Sequence, residues 1–254
     1  MAQFDNRYAQ VGSSARTGAV VDEGLRAYML SVYNYMAAGI ALTGLTAYVT
    51  QMMAVAGPRV GGQLVLTPFG QMLYLSPLKW VVMLAPLALV FFLSFRVYKM
   101  SLPGAQLAFW AFAAAMGLSL SSIFLVFTGQ SITRVFFITA AAFSALSLYG
   151  YTTKKDLSGW GSFLIMGVIG IVIAALVNIW LQSSALQFAV SVIGVLVFAG
   201  LTAYDTQRIK DSYYEVVGGD AAAAGKMAIM GALSLYLDFI NMFVSMLNLF
   251  GERE

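Results

Sequence analysis

Asp238 lies near the middle of an apolar run, Met227 to Phe250, that is long enough to cross a lipid bilayer. A carboxylate at that depth is costly unless it is protonated, paired with a cation or in contact with water. An acid inside a membrane segment therefore indicates a functional site. This residue is the starting point for predicting what the chain does.

Asp238 belongs to a polar stripe on the same helix. Its members fall within an arc of roughly 80° on an ideal helix, and they are Ser234, Asp238, Asn241, Ser245 and Asn248. Two interpretations stay open. The serines and asparagines are candidate pore-lining residues, or they hydrogen-bond neighbouring helices, as such residues often do in membrane bundles.

A second acid, Asp205, stands in the segment Leu201-Thr-Ala-Tyr-Asp-Thr-Gln-Arg-Ile-Lys210 at the end of the sixth apolar stretch. On its own it is equally consistent with an interfacial residue beside Arg208 and Lys210. If it meets Asp238, the two carboxyl groups cannot both ionise cheaply and would share a proton. That contact requires the last helix to begin before Met227, which the run Ala221 to Ala224 favours.

Arg96 ends the second apolar stretch, on the side of the membrane where Asp205 is predicted to lie. An arginine can bind a carboxylate in a bidentate manner that depends on the protonation of the acid. Arg96 is therefore a candidate latch over a pore mouth. The alternative is a simple anchor at the lipid headgroups.

The composition is that of a membrane protein, because 60% of the residues are hydrophobic and only 10% are charged. The apolar runs are continuous, which favours helices over barrel strands. Seven stretches approach the length of about twenty residues that a spanning helix needs, at 27–54, 79–98, 103–127, 132–152, 160–182, 187–207 and 227–250. We predict an all-α protein with seven transmembrane helices.

The basic residues are distributed unequally between the two ends of these stretches. Ten lie on one side and four on the other, so the positive-inside rule predicts a cytoplasmic N-terminus and an external C-terminus. The predicted organisation is a cytoplasmic tail over 1–26, one transmembrane domain over 27–250 and a short tail over 251–254. We do not predict nucleic-acid binding, since there is no basic stripe with interleaved aromatic residues.

The chain has no cysteine and no histidine, which removes thiolate nucleophiles, imidazole bases and most zinc or copper sites. Proton chemistry must then use carboxyl groups. There is also no phosphate-binding loop or serine-protease elbow, so we predict no cofactor and no enzymatic activity. Calcium, which prefers hard oxygen ligands, suits this inventory, although two carboxylates such as Asp205 and Asp238 would bind it weakly.

Two segments carry a resemblance to a known family. Ala203-Tyr-Asp-Thr-Gln-Arg-Ile209 and Gly231-Ala-Leu-Ser-Leu-Tyr-Leu-Asp-Phe-Ile-Asn241 resemble the paired signatures of the Bax inhibitor-1 family, the transmembrane BAX-inhibitor-motif proteins. Val32-Tyr-Asn-Tyr-Met-Ala-Ala-Gly39 is similar to the family's opening helix. The likeness extends from about residue 25 to the end of the chain.

The resemblance implies six helices around a central seventh and a pH-sensitive calcium leak in the bacterial inner membrane. In that family two aspartates, matching Asp205 and Asp238, share a proton, and an arginine of the second helix, matched here by Arg96, latches one of them. An acidic residue that bacterial relatives carry inside the second span has no counterpart between Lys79 and Arg96. We expect a monomer or a weak oligomer in the lipid bilayer.

Two other functions stay open. Some bacterial members of the resembled family are associated with a membrane-bound protease, so the chain is alternatively a regulator that needs no permeation. Paired intramembrane aspartates are also found in presenilin-like proteases, and Tyr204-Asp205 resembles half of their signature. Leu235-Tyr-Leu237 stands where that signature has small residues, which makes proteolysis the remote alternative.

Overall fold

The protein is almost entirely helical in a computed structural model. The backbone is described for residues 3–57, 65–216 and 221–253, and the side chains for 23–57, 65–214 and 222–253. Within these ranges there are eight α-helices: α1 Gln3–Ala54, α2 Pro68–Tyr74, α3 Leu78–Arg96, α4 Leu102–Leu120, α5 Gly129–Thr152, α6 Ser158–Leu181, α7 Ser184–Val216 and α8 Ala221–Phe250. Short 3-10 turns, Val97–Lys99 and Ser121–Leu125, extend α3 and α4.

Six helices in the described part of the chain are long and apolar enough to cross a membrane. Their spans are Leu78–Lys99, Leu102–Leu125, Gly129–Thr152, Ser158–Leu181, Ser184–Tyr214 and Ala222–Phe250, which confirms six of the seven predicted stretches. Helix α1 covers the remaining stretch, 27–54, and ends at its predicted end, but it is not among those six. The count of seven spans stays a prediction.

Local sequence explains where several helices begin and end. The hydroxyl of Ser101 caps α4 by accepting from the Gly104 N–H, and that of Thr128 caps α5 by accepting from the Ser131 N–H. At the other end of α6, Gln182 adopts a left-handed conformation with φ of 48°, which stops the helix. These caps set the level at which each apolar segment starts.

Helix α8 packs against α1, α4, α5 and α7, and it supplies much of the buried core. Leu235, Tyr236 and Met242 of α8 are fully buried. By contrast, α3 and α6 expose most of their apolar side chains, as helices that face lipid do. Asp205 of α7 and Asp238 of α8 are both buried inside this bundle.

Small residues allow two close helix crossings. A Cβ atom on Gly150 of α5 would clash with the carbonyl oxygen of Ala203 on α7, and one on Gly117 of α4 would clash with the backbone of α1 at Thr43. Glycine at such crossings permits the close approach by which helices pack in lipid. Gly170 of α6, by contrast, has no neighbour within 4 Å of the Cβ position.

The two ends of the bundle differ in charge. One end, called here the basic end, carries Arg26, Arg96, Lys99, Lys154, Lys155, Lys210 and Lys226. At the opposite end the C-terminal tail folds onto the start of α5. Glu252 accepts from the Thr128 N–H at 3.0 Å through its carbonyl and pairs with Arg134 at 3.2 Å.

Candidate functional site

The candidate site lies where α7 and α8 run antiparallel. Gly231 of α8 packs against Ile209 of α7, and Ser245 packs against Gly194. These contacts fix a register that sets Asp205 level with Ser234, so Asp238 lies about one turn, roughly 6 Å, deeper. Since α8 begins at Ala221, its predicted early start is confirmed.

Asp205 is 8% exposed and faces a cation of its own helix. Its Oδ1 lies 3.6 Å from Nη1 of Arg208, one turn later on α7. That separation is within ion-pair range but too long for a hydrogen bond. The guanidinium side chain is 57% exposed, so this pair joins a buried acid to a cation in contact with solvent.

Asp238 is 4% exposed, and its carboxyl group is incompletely satisfied. Oδ2 is inaccessible and has no hydrogen-bond partner among the residues that the structure describes. The charges of Asp205 and Arg208 both act on this carboxyl group. The structure thus brings the two predicted acids together, with Arg208 as the nearby cation.

A polar cavity of about 460 Å³ leads from the basic end towards the acid pair. Ser234, one turn from Asp238, and Arg208, the partner of Asp205, both line it. The other lining residues come from α1, the turn after α3, α6, α7 and α8: Tyr28, Tyr98, Ser158, Tyr204, Gln207, Ile209, Asp211, Ser212, Met227, Met230 and Gly231. The acids themselves lie just beyond this lining.

The predicted pore-lining residues of α8 lie in three different environments. Ser234 faces the cavity. Ser245 packs on Gly194, and Oδ1 of Asn248 accepts from the side-chain amide of Gln187 at 3.4 Å, so both contact α7. Asn241 is exposed and donates to the Leu237 carbonyl oxygen. Part of the stripe therefore makes interhelical contacts, while Ser234 lines open space.

Arg96 lies at the end of α3 and is exposed. No acidic side chain in the described part of the chain lies within ion-pair distance of it, and the cation beside Asp205 is Arg208. The Arg96 latch stays a prediction, which would require a different arrangement of α3 and α7.

Three residues that follow Asp205 fasten α7 to α5 and to the α5–α6 connection. Thr206 shares a hydrogen bond with Ser147 of α5 at 2.9 Å, and Ser147 shares another with Tyr33 of α1 at 2.6 Å. Gln207 accepts from the Leu157 N–H and donates to the Lys155 carbonyl, while Lys210 donates to the Tyr151 carbonyl. The backbone that carries Asp205 is therefore firmly positioned.

Among the described residues, no group of three or more His, Cys, Asp or Glu side chains could hold a metal ion. Sequence reasoning did not identify the cavity residues Tyr28 and Tyr98, because their convergence depends on tertiary packing. The pairing of Arg208 with Asp205 could have been predicted from the sequence, because i,i+3 spacing brings two side chains together on one helix face.

Comparisons with known proteins cover nearly the whole chain. Residues 25–254 match the sequence model of a family described as inhibitor of apoptosis-promoting Bax1. The inner membrane protein YbhL of Escherichia coli is 46% identical over 91% of this chain and 94% of its own length. A protein of Caulobacter vibrioides is 45% identical over the full length of both chains, and a membrane protein of Streptococcus pyogenes is 34% identical over 92% of this chain and 96% of its own.

Proposed function

Because the chain belongs to the Bax inhibitor family of membrane proteins, we propose that it is a pH-sensitive, calcium-permeable leak of the bacterial inner membrane. The observation that supports this most directly is the buried Oδ2 of Asp238, which lacks a hydrogen-bond partner among the described residues. It lies beside a second acid, beyond the end of a polar cavity. The similar Escherichia coli protein is named an inner membrane protein, which supports the membrane proposed here.

The gate in this proposal is a proton held between Asp205 and Asp238. Two buried carboxylates repel each other, and a proton shared between them removes one negative charge. Loss of that proton would leave two anions between α7 and α8, and their repulsion would loosen the helix pair. Arg208 lies 3.6 Å from Asp205, while Asp211, Tyr28, Tyr98 and Tyr204 are the other titratable groups that line the adjoining cavity.

The ion path runs from the polar cavity towards Asp238, along α8 as the central helix of seven. The basic end faces the cytoplasm, which places the N-terminus inside and the C-terminus outside. Carboxylate, hydroxyl and amide oxygens are ligands that calcium accepts, and few of them are available, so calcium would bind weakly and pass through. Asn241 and Ser234 are the amide and aliphatic hydroxyl side chains nearest in sequence to Asp238.

A calcium flux assay in proteoliposomes tests this proposal. Flux through the purified protein should depend on pH, and Asp205→Asn or Asp238→Asn should abolish that dependence because a neutral amide does not titrate. Asp156→Asn is a matched control, since Asp156 is an exposed acid that accepts from the Ser158 N–H in the α5–α6 connection. This control should retain the pH response of the original protein.

Two results would overturn the proposal. An unchanged pH response in both aspartate variants would eliminate the gate. Absence of calcium flux from correctly folded protein at every pH would eliminate the leak, and would favour the alternative in which the protein regulates a membrane-bound protease.

A further inference from the structure

A lateral cleft separates α1 from α5 near the basic end of the bundle. It encloses about 480 Å³, within the range of roughly 300–1,000 Å³ that is usual for small-molecule sites. Among the described residues its lining comes from these two helices: Arg26, Met29, Leu30, Tyr33, Phe143, Ser144, Ser147, Leu148 and Tyr151. Leu30 and Leu148 are 51% and 63% exposed, so the cleft opens to the lipid side of the bundle.

The shape and chemistry of the cleft suit a hydrocarbon chain. Met29 and Phe143 form a buried apolar floor, and the hydroxyl of Ser147 is occupied by its hydrogen bonds to Tyr33 and Thr206. From Phe143 to Tyr151 the cleft follows α5 for about 12 Å at the helical rise. Tyr151 is the penultimate residue of α5, so the cleft begins where that helix leaves the bilayer.

Positive charge is concentrated at the outer end of the cleft. Arg26 lines it and is exposed. The ammonium group of Lys210 lies 5.2 Å from the ring centroid of Tyr151, at the same end. Among the described side chains, Glu23, one turn from Arg26 on α1, makes no ion pair with it, and no acid lines the cleft. A ligand with an anionic head and an apolar tail complements this arrangement.

We propose that the cleft between α1 and α5 is a binding site for an anionic phospholipid. The phosphate lies against Arg26, with Lys210 contributing positive charge from behind Tyr151. One acyl chain follows the apolar floor past Met29 and Phe143. This site is separate from the acid pair of α7 and α8, and it does not depend on the proposed calcium leak.

Native mass spectrometry of the purified full-length protein tests the site. The protein is incubated with equimolar palmitoyl-oleoyl phosphatidylglycerol and phosphatidylcholine in detergent, and the bound lipids are counted. Phosphatidylglycerol should be retained preferentially. Arg26→Gln should lower that preference by about fivefold, the factor expected for one basic residue at an anionic surface, whereas Arg26→Lys should preserve it.

Further variants separate this site from general surface attraction. Lys99→Gln removes an exposed charge from the same end of the bundle, outside the cleft, and should leave the preference unchanged. Ser144→Trp should displace the lipid by filling the cleft, and added inorganic phosphate should not compete if the acyl chain contributes. Equal retention of both lipids, or an effect of Lys99→Gln as large as that of Arg26→Gln, would overturn the proposal.

Discussion

Nη1 of Arg208 lies 3.6 Å from Oδ1 of Asp205, one turn away on α7. The cation is largely exposed and lines the cavity, whereas the acid is buried and interacts with Asp238. In the proposed mechanism, solvent reaches the acid pair from this side. The consequences can be tested one residue at a time.

Arg208→Gln should move the pH midpoint of calcium flux to higher pH. The guanidinium favours ionised carboxylates, so its removal lets the acid pair keep its proton at higher pH. Because Arg208 is mostly exposed, we expect a shift of no more than about one pH unit. Flux in proteoliposomes measured across a pH series checks this shift, with Arg208→Lys as the control that retains the charge.

Arg96→Gln distinguishes between the two arginines. If Arg96 latches Asp205 in another conformation, this substitution should move the midpoint, because it removes a cation that holds the ionised acid. If Arg208 is the cation that stabilises the ionised acid, Arg208→Gln should shift the pH midpoint of flux and Arg96→Gln should leave it unchanged. A response to Arg96→Gln alone would contradict the role given to Arg208.

Single cysteines should report which part of the α8 stripe contacts water. The chain has no native cysteine, so an introduced thiol is the only reactive one. Ser234→Cys, which lies in the cavity, should react with a water-soluble methanethiosulfonate added to inverted vesicles, whose outer surface carries the basic end in the proposed orientation. Ser245→Cys, packed on Gly194, should be protected, and equal labelling at both positions would contradict the proposed path.

Gly150→Ala should destabilise the protein by about 1–3 kcal/mol, since its Cβ would clash with the Ala203 carbonyl where α5 crosses α7. The matched substitution Gly170→Ala places its Cβ in open space on α6 and should cause no loss. Thermal unfolding of both variants in the same detergent provides the comparison. If Gly150→Ala lowers stability no more than Gly170→Ala does, the α5–α7 contact is not close in the detergent-solubilised protein.

Thr43→Val should be more damaging than Tyr236→Phe. The Tyr236 hydroxyl shares a hydrogen bond of 2.6 Å with Thr43, which donates in turn to the Ala113 carbonyl. Removal of the phenolic hydroxyl loses one interhelical hydrogen bond, worth about 0.6 kcal/mol in a membrane. Removal of the Thr43 hydroxyl strands the buried phenol, at about 1–3 kcal/mol. The order of the unfolding midpoints tests this asymmetry.

The spanning helices were largely predictable because hydropathy depends on local composition. Six predicted stretches match the observed spans, since each is a continuous apolar run that must satisfy its own backbone in lipid. Helix α1 is less apolar, because residues such as Asn34, Thr43 and Gln51 interrupt it. Hydropathy alone therefore does not assign α1 as a membrane-spanning helix.

The site was predictable in its acids but not in its surroundings. The mid-membrane position of Asp238 indicated a functional residue, and the Ala-rich start of α8 suggested the register that brings it near Asp205. Whether Arg208 or Arg96 lies beside Asp205 depends on the distance between α3 and α7, which the sequence does not give. Likewise, the sequence predicts that the stripe residues share one arc of α8. Which of them face the cavity, as Ser234 does, and which contact α7, as Ser245 does, depends on the packing of α7.

The fastening of α7 just beyond Asp205 has a mechanical consequence. Hydrogen bonds from Thr206, Gln207 and Lys210 hold this stretch to α5 and to the connection that starts α6. A displacement of Asp205 must therefore break those bonds or carry α5 and α6 with it. If the two acids separate, we expect α5, α6 and α7 to move together relative to α8, so a spectroscopic label on α6 would register an event that begins on α7.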